Sequence, residues 1–305
     1  MFEGLYTAIV TPFNEKGELD RDALERHIRF QAENGVRGIV PCGTTGENPT
    51  LTPQEHLRVF DITIQEAKRH NLQVIAGCGS NDTRKAIDLC KEASVRGADA
   101  ALVITPYYNK PNQEGLYQHF MSVADESDIP VMLYNVPSRT NVNLLPETVE
   151  RLSYHENIVA LKDASGSLSQ VQDVIFRVNE RLAVFSGEDD LTYAIMAVGG
   201  RGVVSVTSNV VPRTMADLVE AMLDNKFLVG QELSRKLNKI CNAMFIDTNP
   251  IPVKAALNMI GHTVGATRLP LTELSETNSE ILRDVLCHYQ LLNIKSKQRN
   301  RLFSK

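Results

Sequence analysis

The feature that most restricts the fold is a repeat of short, almost continuously aliphatic runs with helical patterns between them. The runs are Tyr6–Val10, Gly38–Pro41, Gln73–Ala76, Ala100–Thr105, Pro130–Tyr134, Ile158–Leu161, Leu182–Phe185 and Gly202–Val206. A strand with one wet face alternates apolar and polar residues, whereas a strand covered on both faces of a parallel sheet reads as an unbroken apolar run. These eight read as the covered kind. Parallel neighbours need a crossover, and the intervening segments supply helices for it. Thr52-Pro53-Gln54-Glu55 opens one, with Thr52 as cap, Pro53 in the first turn and Glu55 closing a capping box. Leu57, Phe60 and Ile64 then make one apolar stripe, and the same spacing recurs in Val171, Val174, Ile175, Val178 and in Met215, Leu218, Val219, Met222. Eight βα units in sequence predict an α/β protein, a closed (β/α)8 TIM barrel rather than an open doubly wound sheet.

After Asp224 the strand signal stops while helical patterns continue through Leu233, Leu237, Ile240 and Met244, and later through Ile281, Val285 and His288. Asn249-Pro250-Ile251-Pro252 breaks that run. The expected organisation is a barrel over residues 1–224, a C-terminal helical extension over 225–292, and a basic tail over 293–305 that is solvated or frayed.

The chain carries 32 Lys+Arg against 37 Asp+Glu, a net charge of −5, so it lacks the positive field that holds a nucleic-acid backbone or an anionic membrane surface. Neither partner is expected. Cys42, Cys78, Cys90, Cys241 and Cys287 are odd in number and free of C-x-x-C spacing, which argues against a disulfide frame or a zinc knuckle and for a reducing, cytoplasmic setting. Met1-Phe2-Glu3-Gly4 lacks the basic and apolar regions of a signal peptide, and no apolar run is long enough to span a bilayer.

In such a barrel the reactive groups come from the carboxyl ends of the strands and the loops that follow. Those ends read Thr11-Pro12, Gly43-Thr44-Thr45-Gly46-Glu47, Gly77-Cys78-Gly79, Pro106-Tyr107-Tyr108-Asn109, Tyr134-Asn135, Lys162-Asp163, Ser186-Gly187 and Ser205-Val206. Lys162 follows an apolar strand, so its side chain is expected at a partly dehydrated pocket, where a neutral amine is favoured. A neutral amine attacks carbonyls, and the iminium it forms is an electron sink for an adjacent carbanion. The alternative is a lysine that snorkels to the rim and pairs with Asp163. Tyr134 ends the neighbouring strand, where a phenol can relay protons or simply pack its ring. The Gly43–Gly46 turn offers two hydroxyls and exposed N–H groups suited to a small carboxylate, as many glycine-rich turns do.

The seven histidines never fall two to four apart and none ends a strand, which disfavours a metal site. No G-x-G-x-x-G follows a strand and no P-loop is present, so no cofactor is expected.

Gly43-Thr44-Thr45-Gly46-Glu47, Tyr134-Asn135-Val136-Pro137-Ser138-Arg139-Thr140, Lys162-Asp163-Ala164-Ser165-Gly166 and Asn249-Pro250-Ile251-Pro252-Val253-Lys254 stand in an order and spacing that resembles the dihydrodipicolinate synthase family. The likeness spans about residues 1 to 292. It implies a lyase of lysine and diaminopimelate biosynthesis that joins pyruvate to L-aspartate-4-semialdehyde without a cofactor. Lys162 would form the Schiff base, with Tyr134, Thr44 and Tyr108 as the proton relay. Thr45 would hold the pyruvate carboxylate and Arg139 that of the semialdehyde, with the Val204 backbone and Gly187 lining the same rim. In the family the tyrosine matching Tyr108 comes from a neighbouring subunit, so a homo-oligomer, a dimer of dimers, is implied.

Relative to lysine-inhibited members, the effector cleft departs from the pattern. Pro53 replaces a histidine, Lys85 a glutamate and Asn48-Pro49 a serine-alanine pair, while His56, Asn81 and Tyr107 are kept. Lys85 sets like charges together, so weak or absent feedback by L-lysine is expected. Two rival functions remain open to the sequence. An N-acetylneuraminate lyase or 2-keto-3-deoxy sugar acid aldolase would share the lysine and tyrosine, though Arg139 suits a short anionic aldehyde better than a polyol. A non-enzymatic barrel that binds a small carboxylate would use Lys162 only as an ionic anchor.

Overall fold

The aliphatic runs pair as predicted because each strand is too apolar to tolerate water on either side. In the computed structural model, which describes residues 2–292, eight parallel strands close into a barrel in chain order. They are β1 (Gly4–Ala8), β2 (Gly38–Val40), β3 (Gln73–Gly77), β4 (Ala100–Ile104), β5 (Val131–Asn135), β6 (Ile158–Asp163), β7 (Ala183–Ser186) and β8 (Gly202–Ser205). Closure is made by β1 on β8, with Leu5 opposite Val203 and Thr7 opposite Ser205. β1 begins two residues earlier than the sequence suggests, since its pairing with β8 starts at Gly4 opposite Gly202.

Alternation along the strands divides the apolar residues between two cores. Tyr6, Ala8, Leu102, Met132, Ala160 and Phe185 fill the barrel interior. Leu5, Ile39, Val103, Leu133, Leu161 and Val184 face outward to the helices. Near the bottom the Tyr6 ring meets Phe185 edge-on, with centroids 5.6 Å apart, so the interior is packed and a ligand can enter only at the strand ends.

The helices around the barrel are α1 (Arg21–Glu33), α2 (Pro53–Arg69), α3 (Thr83–Arg96), α4 (Gln113–Glu126), α5 (Pro137–Thr140), α6 (Pro146–Leu152), α7 (Leu168–Val178), α8 (Thr192–Ala197) and α9 (Pro212–Leu223). In α2 the expected capping box is present, Thr52 Oγ1 accepting from Glu55 N at 3.2 Å and Glu55 accepting from Thr52 N at 2.9 Å. Its inner face buries Val59, Phe60, Ile64 and Ala67. Side chains the size of Phe60 contribute roughly 1.5–3 kcal/mol each when fully buried.

Among the described residues three helices follow the barrel, α10 (Phe227–Ala243), α11 (Ile251–Met259) and α12 (Glu276–His288), and Pro250 and Pro252 sit where α11 opens. One predicted stripe is shifted. Ile281 and His288 are exposed, and the buried face of α12 is Leu282, Val285 and Leu286. Both sets have helical spacing, and packing of α12 on α10 and α11 selects the one with two leucines. The predicted basic tail, 293–305, lies outside the described residues. Among them no helix is long and apolar enough to cross a membrane, and the five cysteines are unpaired, four of them buried.

Candidate active site

The alternation that fills the barrel also aims Lys162. Leu161 faces the helices, so Ala160 and Lys162 face the axis, and Lys162 stands at the upper end where packing gives way to a cavity. It is 6% exposed. In register it lies opposite Tyr134 on β5 and Phe185 on β7, and its Nζ sits 4.1 Å from the centre of the Tyr134 ring. That contact is a cation–π arrangement when the amine is charged. Pairing with Asp163, open at the sequence level, does not occur. The Asp163 carboxylate instead accepts from Asn135 Nδ2 at 3.1 Å and Ser165 N at 2.9 Å. Adjacent strand residues point to opposite faces, so one backbone cannot aim both groups at each other.

The cavity holds about 300 Å³ and brings together Thr44, Thr45, Tyr134, Arg139, Lys162 and Gly187. Thr44 and Thr45 belong to the turn after β2, closed by Gly46 N donating to Gly43 O at 3.1 Å and Glu47 N to Thr44 O at 3.1 Å. Gly187 acts through what it lacks. A Cβ there would stand 2.8 Å from the Ala164 Cβ and 3.1 Å from Lys162 Cε, crowding the lysine stem. Arg139, on the short α5, reaches the rim and donates from Nη2 to Asn249 O at 3.2 Å.

Two predicted residues lie elsewhere. Val204 is wholly buried in the barrel interior, and Val206, two residues further along the chain, lines the cavity. Tyr108 is 90% exposed on the loop after β4 with φ +72°, and lines neither this cavity nor the two spaces beside it. A bulky residue held in the left-handed region and pointed at solvent is a costly arrangement for a surface loop.

Sequence reasoning missed Asn249, Glu188 and Asp190 as cavity residues. Asn249 is 5% exposed, donates from Nδ2 to Thr45 Oγ1 at 3.0 Å, and leaves Oδ1 buried without a partner. An unpartnered buried acceptor at a cavity is a place for a ligand's donor. Burial, with the charges of Asp190 and Asp163, pushes the Glu188 carboxyl up. The cavity is therefore bipolar, lined by the Arg139 guanidinium and by the carboxyl groups of Glu188 and Asp190. The only available signal was the position of Glu188 and Asp190 after β7, and for Asn249 its place in the fourth motif.

A second cleft of about 400 Å³ is lined by Asn48, Pro49, Pro53, His56, Lys85 and Tyr107. Asn81 does not line it; its carbonyl accepts from Asn109 Nδ2 at 2.9 Å. Burial pushes His56 down to about 4, with Lys85 adding to the effect. A smaller space of about 210 Å³ shares Thr44, Tyr134 and Arg139 with the first cavity and Asn48, Pro49 and Tyr107 with this cleft. Among the described residues no three His, Cys, Asp or Glu side chains group as metal ligands would.

The chain is similar to known proteins along nearly its whole described length. A sequence model of the dihydrodipicolinate synthetase family matches residues 1–289. A 4-hydroxy-tetrahydrodipicolinate synthase of Methanothrix thermoacetophila is 50% identical over 287 residues, covering 94% of this chain and 96% of the relative. The solved dihydrodipicolinate synthase of Aquifex aeolicus superposes with a TM-score of 0.93 at 44% identity, over 96% of this chain and 100% of its own. That of Acinetobacter baumannii, solved with pyruvate, gives 0.94 at 41% identity, over 96% and 100%.

Proposed function

The chain belongs to the dihydrodipicolinate synthetase family, and on that footing we propose that it condenses pyruvate with L-aspartate-4-semialdehyde through a Schiff base on Lys162. The observation that carries the assignment of roles is a buried lysine with no hydrogen-bond or ion-pair partner among the described residues, facing a tyrosine across a cavity.

The Lys162 amine adds to the keto carbon of pyruvate and water leaves, giving an iminium. Thr45 Oγ1, itself hydrogen-bonded by Asn249, takes the pyruvate carboxylate in this reading. Loss of a proton from the pyruvate methyl group yields the enamine, and Tyr134 and Thr44, whose side chains line the cavity, carry that proton in this reading. The enamine carbon attacks the aldehyde, a carbon–carbon bond forms, and the resulting alkoxide takes a proton. The ammonium of the semialdehyde unit gives a proton to Glu188, and the amine so freed adds to the iminium carbon and expels the Lys162 amine, which closes the ring and frees the enzyme. One water is lost overall. Arg139 is the cation for the semialdehyde carboxylate, a task that suits a permanently charged planar fork. Glu188 and the free Oδ1 of Asn249 are the acceptors for its ammonium.

Tyr108 is assigned to the active site of a second copy, which makes the working enzyme a homo-oligomer, a dimer or a pair of dimers. Its outward aim supports this reading. Five unpaired cysteines suit a reducing compartment, so the cytoplasm is the proposed location. The test is intact-mass measurement after pyruvate and borohydride, then peptide mapping. A single adduct on Lys162, absent in Lys162→Ala, is expected. An unmodified protein, or label elsewhere, overturns the mechanism.

A further inference from the structure

Among the described residues two lysines are deeply buried, and they are wired in opposite ways. Lys162 is unpartnered, whereas Lys254 in α11, 1% exposed, gives its ammonium to Glu47 Oε1 at 2.8 Å, Ala266 O at 2.8 Å and Thr11 O at 3.1 Å. The second oxygen of Glu47 accepts from Arg268 N at 2.9 Å. Three ammonium protons and both carboxylate oxygens are spoken for, so this pair has no proton to lend to chemistry. Burial pulls the Lys254 ammonium down, and Glu47 opposes that pull.

Stability alone is a poor reason for such a pair. Moving two ions out of water costs several kcal/mol each, and volume-matched neutral side chains are often as stable or more so. What an ion pair with every bond used does supply is direction. Glu47 closes the turn that carries Thr44 and Thr45, with its backbone in the left-handed region at φ +55°. Thr11 Oγ1, from the segment whose carbonyl also holds Lys254, donates to Gly46 O at 2.7 Å. Asn249, just ahead of α11, holds the same turn through Thr45 Oγ1 and takes Arg139 on its carbonyl. The start of α11 thus grips the turn at two points, one at the cavity and one beneath it.

We infer that Glu47 and Lys254 are positioning residues for pyruvate capture, their buried ion pair setting the direction in which the Gly43–Glu47 turn presents the Thr44 and Thr45 hydroxyls. The inference rests on the Schiff-base reading given above. Displacements of about 1 Å at such groups cost up to roughly 100-fold in rate.

The test uses the full chain and two variants, Glu47→Gln/Lys254→Met and Glu47→Asp. The double variant removes both charges but keeps volume and the acceptor for Arg268 N. It is expected to melt within a few degrees of the parent and to keep its KM for the semialdehyde. Its KM for pyruvate rises and its rate of borohydride-trapped adduct formation falls, each by ~10-fold or more. Glu47→Asp keeps the charge but shortens the arm, and shows the same pyruvate-selective loss; if it traps pyruvate at the parental rate, direction is not what the pair supplies. Parental pyruvate capture in the double variant, or a loss that falls equally on both substrates, overturns the inference. Should the unaltered protein trap no pyruvate, the Schiff-base reading fails first, and the two failures are told apart.

Discussion

The amine of Lys162 faces the ring of Tyr134 at 4.1 Å, and the two residues are directly paired across β5 and β6. The barrel's hydrogen-bond register therefore fixes this pair, and no loop has to move to bring them together. The ring packs the lysine stem while the phenol reaches the cavity, so removing only the hydroxyl separates packing from proton transfer. Tyr134→Phe is expected to fold and melt as the parent does. Its turnover should fall by about 100-fold or more, the usual scale for a lost proton-transfer group. Steady-state rates beside thermal melting decide it, and near-parental turnover would remove Tyr134 from the relay.

The bipolar cavity predicts a discrimination that charge alone can test. Succinate semialdehyde has the aldehyde and the carboxylate of the natural substrate but no amine. Glu188→Gln should raise KM for L-aspartate-4-semialdehyde by ~10-fold, the size of one lost charge-assisted hydrogen bond, and shift KM for the amine-free analogue far less. Arg139→Ala should weaken both aldehydes alike. Equal effects of Glu188→Gln on the two aldehydes would refute the assignment of the ammonium to that wall.

The sequence made part of this site legible and hid the rest for a physical reason. Lys162 and Tyr134 are readable because each ends an apolar run, and alternation decides which way each points. The Thr44–Thr45 turn is readable from its flanking glycines. Asn249 is a different case, since its partners Thr45 and Arg139 lie 204 and 110 residues away, and no local period records such a contact. Glu47 and Lys254, 207 residues apart, stood inside two recognised motifs, yet only folding shows that they meet. On α12 the pattern allowed two faces, and burial of Leu282 and Leu286 selected one.

Three buried histidines give the fold an acid limit of their own. Burial pushes His27, His56 and His119 each down to about 4, against about 6.5 for an unfolded chain. Between those values the unfolded state binds more protons than the folded one, so stability falls as pH drops from about 6.5 to about 4. The slope should approach three protons near its steepest. Melting temperature against pH measures it, and His27→Gln should flatten it by about one proton. A melting temperature that stays level down to pH 4.5 would contradict the burial argument.

The second cleft is the place at which we propose L-lysine would act. His56 and Tyr107 are in place, but Lys85 stands close enough to bear on His56, and Pro49 and Pro53 bring no backbone N–H to the lining. Asp88 and Glu92 lie further along α3, so the end beside His56 carries a cation where an incoming ammonium would meet it. Two like charges about 4 Å apart repel by roughly 1 kcal/mol in water and about 4 kcal/mol near a protein surface, enough to weaken binding by about fivefold or more. L-Lysine at sub-millimolar concentration is therefore expected to leave initial rates unchanged. Lys85→Glu reverses the sign at that position and should bring inhibition into the same concentration range without altering the uninhibited rate. Rates measured over an L-lysine series for both proteins settle the point, and strong inhibition of the unaltered chain would show that Asp88 or Glu92 has taken the ammonium instead.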